Sequence, residues 1–188
     1  DIAVVGFDDI PTAAFNLPKL STVRVPKLLL GKEAFKLLND VIGNFIHRTL
    51  TFINKQFKGK VPDIIELDDK DKQFLEQINS IGKTVGDLLE RFELRSALRE
   101  IVSFARIGNV YLNEKAPWHL IKEKKALAGQ VFNICVQAVH ALAILLSPFI
   151  PDTSQKILEF LNLETSLKNI TWESISDKAL KSGHPIKK

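Results

Sequence analysis

Residues 131–150 form the longest apolar run in the chain, and this run limits the possible architectures more than any other feature. It is interrupted by Asn133, Gln137 and His140, which the 3.6-residue period places on one helical face. A helix apolar on nearly all sides is either a membrane span or the buried centre of a bundle. Three polar side chains on one face favour the second. They form either a satisfied buried network or the exposed side of the same helix. The segment extends back to about Lys124 and closes at Leu146, before Ser147-Pro148.

Helical periodicity also accounts for most of the rest. Apolar positions at Leu30, Ala34, Leu38, Val41, Phe45, Phe52 and Ile53 predict a helix from Leu28 past Phe57. Such a helix of about 30 residues would span roughly 45 Å. Gly31 and Gly43 inside it each cost about 1 kcal/mol relative to Ala. Asp68-Asp69-Lys70-Asp71 supplies an acidic start for a second helix through about Arg91. A third is predicted over Leu94–Leu112, with Ala97, Leu98, Ile101, Ala105, Gly108 and Tyr111 on one face. Pro117 suits the first position of a further turn, and Pro151 starts a last helix to about Leu161. Residues 164–188 read as mostly irregular. Four or five helices with short connections make a bundle.

Residues 1–26 read differently. Ile2-Ala3-Val4-Val5-Gly6-Phe7 is a short apolar run suited to a buried strand, and Leu20-Ser21-Thr22-Val23-Arg24-Val25 offers a second before Pro26. The fold class is therefore mainly α: a helical bundle with a short N-terminal β-strand and loop segment. Two such strands cannot bury a core of their own. They are expected to dock on the bundle or to pair with the same segment of a second copy, giving a homodimer.

Composition narrows the function classes. Apolar residues make up 45% of the 188 positions and charged residues 26%, which excludes disorder and low complexity. The single Cys135 excludes an intrachain disulfide and points to a reducing, cytoplasmic setting. The four His, at 47, 119, 140 and 184, show no metal-ligand spacing, so neither a metal nor another cofactor is expected. No Met is present, which suggests a processed, truncated or engineered chain. The net charge of +4 is unevenly spread. Residues 41–62 hold Arg48, Lys55, Lys58 and Lys60 with no acid. Residues 63–93 hold nine acids against four bases, and residues 94–125 hold seven bases against three acids. This pattern permits a nucleic-acid face built from two helical segments, with the acidic stretch pointed elsewhere.

Two resemblances divide the chain. Val5-Gly6-Phe7-Asp8-Asp9-Ile10-Pro11, then Pro18-x-Leu20-Ser21-Thr22-Val23-Arg24-x-Pro26 and Leu30-Gly31-Lys32-Glu33-Ala34, resemble the C-terminal end of the effector-binding domain of LacI-family repressors over residues 1–38. That resemblance implies an effector contact at Asp8, as a remnant, since the rest of the pocket and the DNA-binding headpiece are missing.

Residues 39–188 resemble the anticodon-binding helical domain of methionyl-tRNA synthetases, in the archaeal style. The motifs are Gly43-Asn44-Phe45-Ile46-His47-Arg48, Phe52-Ile53-Asn54-Lys55-x-Phe57, and Gly108-Asn109-x-Tyr111-Leu112-Asn113-Glu114-Lys115-Ala116-Pro117-Trp118. Ala141-Leu142-Ala143-Ile144-Leu145-Leu146-Ser147-Pro148-Phe149-Ile150-Pro151 and the terminal Gly183-His184 complete them. The resemblance implies anticodon contacts at Asn44, Arg48 and Trp118, with Pro117 beside the Trp. It also implies a tRNA partner with a CAU anticodon, the initiator or elongator methionine tRNA. The catalytic motifs His-x-Gly-His and Lys-Met-Ser-Lys-Ser are absent from the sequence. No catalytic residue is expected, and the chain is expected to be no enzyme by itself.

The residue chemistry agrees with the implied site. Asn44 and Arg48 at i,i+4 share a helix face, and Thr51 and Lys55 extend it as supporting RNA contacts. Asn offers an amide donor and acceptor, Arg a planar fork of donors, and Trp a stacking platform. By themselves, an Asn/Arg pair also describes a solvated face and a Trp also describes a core residue. The seam near Leu38-Asn39 keeps its apolar phase. The alternative is accordingly an engineered chimera of two folds that retains neither parent's function.

Overall fold

The computed structural model describes residues 5–7, 21–23, 38–163, 167, 170–175 and 180–187. The chain divides into two compact units, residues 1–38 and 39–188. In the first, β1 (Val5–Phe7) and β2 (Ser21–Val23) pair in parallel, with Val5 opposite Ser21 and Phe7 opposite Val23. Each described strand has three residues; the flanking positions predicted as strand lie outside the described residues.

The second unit begins with a π-helical turn, Asn39–Gly43, that runs into α1 (Asn44–Gln56). Then come α2 (Asp69–Glu90), α3 (Leu94–Lys115), the single turn α4 (Pro117–Leu120), α5 (Lys125–Leu146) and α6 (Pro151–Phe160). A short 3₁₀ turn, Trp172–Ile175, follows. The helix predicted to run past Phe57 ends at Gln56. There Phe57 and Gly59 both donate their N–H to the Ile53 carbonyl, while Lys58 and Gly59 take left-handed φ of 56° and 70°. The part of that predicted helix before Leu38 lies outside the described residues. The start of α2 is a full capping box. The Asp68 side chain accepts from the Asp71 N–H at 3.0 Å, and the Asp71 carboxylate accepts from the Asp68 N–H at 3.2 Å. The α3 helix runs past the predicted Leu112 to Lys115.

Helix α5 is the axis of the bundle, with α1, α2, α3, α4 and α6 packed against it. By length and composition it could cross a membrane, yet 94% of its apolar window is buried inside the protein. Its polar face is a satisfied network. Asn133 donates to the Pro62 carbonyl at 2.6 Å, and Gln137 donates to the Leu180 carbonyl at 2.7 Å. Cys135 lies at the centre of this core, where burial holds its thiol well above the usual range and leaves it unreactive.

Residues 180–187 are irregular, as their sequence predicts, yet they are held to the bundle by hydrogen bonds. Gly183 donates to Val61, Val61 to His184 and Ile186 to Gly59, all through backbone, which makes a short antiparallel pairing of Lys60 with Pro185. The His184 ring lies 2.7 Å from the Leu161 carbonyl. The terminal Gly-His pair is thus a structural clasp.

Candidate nucleic-acid interface

The polar stripe of α1 faces outward as its spacing requires. Phe45, Thr49, Leu50 and Ile53 are buried, whereas Asn44 and Lys55 are exposed and Arg48 and Thr51 are half-buried. Asn44 lines an open surface hollow with Asp40, Gly43 and His47.

Two contacts set α1 against α3. Gly108 on α3 leaves room for the Phe45 ring: a Cβ there would lie 2.8 Å from Phe45 Cζ. One residue on, the Asn109 amide donates to the Val41 carbonyl at 3.0 Å and to Ala105 at 3.1 Å. The Val41 carbonyl belongs to the π-turn, so Asn109 ties that turn to α3. This close crossing lets Arg48 reach the far end of α3, where its Nη2 donates to Asn113 Oδ1 at 2.8 Å.

The end of α3 is anchored by a buried carboxylate. Asp71, 1% exposed, accepts from the Tyr111 hydroxyl at 2.7 Å, from Lys115 and from Gln130 Nε2 at 2.8 Å. Gln130 in turn binds the extended segment before α2, accepting from the N–H groups of Ile65 and Glu66 and donating to the Glu66 carbonyl. Burial first, and then the bond to Asp71 and the charge of its carboxylate, keep the Tyr111 phenol protonated. Burial acts to lower the Lys115 ammonium, but its hydrogen bonds to Asp68 and Asp71 outweigh that and raise it. Hydrogen bonding from Lys115, then from the Asp71 backbone, holds Asp68 below the usual carboxylate range.

Directly after this anchor, Ala116 adopts a left-handed φ of 41° and turns the chain so that buried Pro117 opens α4. The corner presents Trp118, 36% exposed, beside Arg48, whose guanidinium carbon lies 5.3 Å from the indole centroid. The structure therefore brings Arg48 and Trp118 into contact, with Asn44 one turn back on the same face of α1. Thr51 and Lys55 continue along that helix. Asp8 lies outside the described residues. Among the described residues, no group of three His, Cys, Asp or Glu could hold a metal.

Two residues of this arrangement carry no role in the sequence reading: Asn113, which holds Arg48, and Asn109, which holds the π-turn. Both lie inside the quoted 108–118 motif. Asn113 is one turn before Pro117, which was the available signal.

Arg48 spends one of its five N–H donors on Asn113 and keeps the others for an incoming acceptor. With its plane held near the indole, the pair offers donors and a π face side by side, the combination that unpaired bases recognise.

A family model described as the anticodon binding domain of methionyl tRNA ligase matches residues 61–187. A model of the periplasmic binding protein-like domain matches residues 1–53, overlapping α1. The methionine–tRNA ligase of Pyrococcus furiosus is 44% identical over 151 residues, covering 80% of this chain and 20% of that protein. Its counterpart in Methanosphaera stadtmanae is 42% identical over 128 residues, covering 68% and 19%. The Pyrococcus alignment takes in too much of the chain to begin after Asn44, so α1 lies within it. The chain spans about a fifth of the length of these relatives. The fold matches the free methionyl-tRNA synthetase of Mycobacterium tuberculosis at a TM-score of 0.75 and 21% identity, over 90% of this chain and 34% of that one. The same enzyme with methionyl-adenylate matches at 0.74 and 20% identity, over 89% and 33%.

Proposed function

Because the chain belongs to the family of anticodon-binding domains of methionyl tRNA ligases, we propose that it recognises the CAU anticodon of methionine tRNAs, initiator and elongator alike. Residues 39–188 are the recognition bundle, and residues 1–38 are a separate fragment. Asn44 and Arg48 meet base edges, Trp118 stacks on a base from the corner that Pro117 sets, and Thr51 and Lys55 support the RNA backbone. The observation that carries this reading is the Arg48–Trp118 pair, two residues seventy positions apart held at 5.3 Å on an exposed surface. The role is binding. Ligation is the activity named for the full-length relatives, and no residue described above is assigned a step in it. A cytoplasmic setting accords with a thiol kept free and buried at Cys135.

The test uses the chain's two tryptophans. In a Trp172→Phe background, an RNA hairpin with a CAU loop should quench the Trp118 emission on binding. A hairpin with a changed loop should quench it weakly. Equal quenching by both, or binding with no change in emission, would show that Trp118 does not stack on a read base.

A further inference from the structure

Arg95, Arg99 and Arg106 are exposed on α3, and among the described residues none of them has an ion-pair partner. Successive helical residues turn by about 100°. On that wheel Arg95 points in the same direction as Asn113, and Arg99 and Arg106 fall within about 40° of it. Asn113 is the residue that bonds Arg48. The acids of the exposed side, Glu100 and Glu114, lie about 100–140° further round, on the flank where Glu114 bonds Lys70 of α2. The outer surface of α3 is thus split lengthwise. An arginine flank continues from the Arg48–Trp118 pair, and an acidic flank joins the acidic helix α2.

We propose that this flank is a binding track for the phosphates of the duplex stem that adjoins the recognised loop. The proposal rests on the reading of Arg48 and Trp118 as the loop site. From Asn113 to Arg95 the helix rises about 27 Å. That is long enough to follow several successive phosphates along one strand of a duplex. Guanidinium groups suit the task, because their planar forks bind phosphate oxygens in pairs and stay charged. Continuity with the loop site through Asn113 is what favours a nucleic-acid stem over another anionic surface. A stem is read here by charge and shape, without sequence preference, which leaves base recognition to α1 and α4.

The experiment compares the full chain with an Arg95→Ala/Arg99→Ala/Arg106→Ala variant. Both are titrated with a long-stemmed CAU hairpin, a long-stemmed hairpin of altered loop, and a CAU hairpin of minimal stem, across a range of salt. The variant should bind both long-stemmed hairpins about tenfold more weakly or worse at low salt. The slope of log affinity against log salt should become shallower by about 2 to 3. The ratio between CAU and altered loops should stay unchanged, the minimal-stem hairpin should lose little, and the triple Lys variant should recover most of the slope. An unchanged slope overturns the proposal. So does a loss confined to the CAU loop, or a loss of binding to phosphatidylserine vesicles with RNA affinity intact. If the wild-type chain fails to discriminate loops, the base-reading proposal falls while the slope still decides this one.

Discussion

Phe92 joins α2 to α3 with a left-handed φ of 59° and with 89% of its surface exposed. Its N–H donates to Leu89, and the next N–H, of Glu93, reaches back to Leu88, the bonding that closes a helix with glycine at the left-handed position. A bulky side chain there is strained and gains almost no burial in return. Phe92→Gly should therefore stabilise the domain by about 1 kcal/mol, raising the thermal midpoint by roughly 2–4 °C; an unchanged or lower midpoint contradicts this. Asp68 gives a pH-dependent counterpart. Its carboxyl is held low by Lys115 and by the Asp71 N–H, so it binds its proton less readily folded than unfolded. That contribution is present above the ordinary carboxylate value and is lost as pH falls through the folded value. Lys115, held high, contributes below the ordinary ammonium value and loses that contribution as pH rises through its folded value. Since Asp68 is 62% exposed, its pair with Lys115 is worth at most about 1 kcal/mol. Asp68→Asn keeps a competent helix cap, should lower stability at neutrality by up to about 1 kcal/mol, and should flatten the stability profile below pH ~4, where it converges on wild type. A profile as steep as wild type would contradict the assignment.

Helix α3 is the element on which the proposed site depends, because it meets α1 through Gly108, α2 through Tyr111 and α4 through Ala116. Gly108→Ala adds a helix-favouring methyl worth up to about 1 kcal/mol, but pushes it into a ring that is fully buried. Overpacking of this kind costs about 1–3 kcal/mol, so the variant should lose stability on balance. It should also lose CAU-hairpin affinity, since α1 must shift and take Arg48 away from Trp118. Retained affinity in a destabilised variant would show that the crossing of α1 and α3 does not set the site. Several elements were readable in advance from local chemistry. The acidic start at Asp68, the proline at Pro117 and the apolar length of α5 each act within a turn or two. Helix α1 ends at Gln56, three residues before the Gly59 that marks its end in the sequence, because Lys58 already adopts a left-handed conformation that its side chain does not advertise. The bond from Arg48 to Asn113 spans 65 positions, and no periodicity can show it.

At the scale of the whole molecule, the polar face of α5 organises segments that lack regular structure. Asn133 and Gln137 take up the carbonyls of Pro62 and Leu180, which lie 71 and 43 positions away. The sequence shows that these side chains share a face, and the fold shows what they hold. The same division applies to the site. The residue types at 44, 48 and 118 are legible as RNA chemistry, but their convergence came only from family resemblance, because α1 and α4 are joined by the entire α2–α3 hairpin. The central claim is that these residues read bases rather than merely attract RNA. It is tested most directly by competition binding of a CAU hairpin against hairpins with each loop base changed in turn, for wild type, Arg48→Ala and Trp118→Ala. Wild type should prefer CAU, and each variant should lose about 1–3 kcal/mol of affinity for it while the preference collapses. Equal binding of all loops by the wild-type chain, or full preference retained in both variants, would contradict the account.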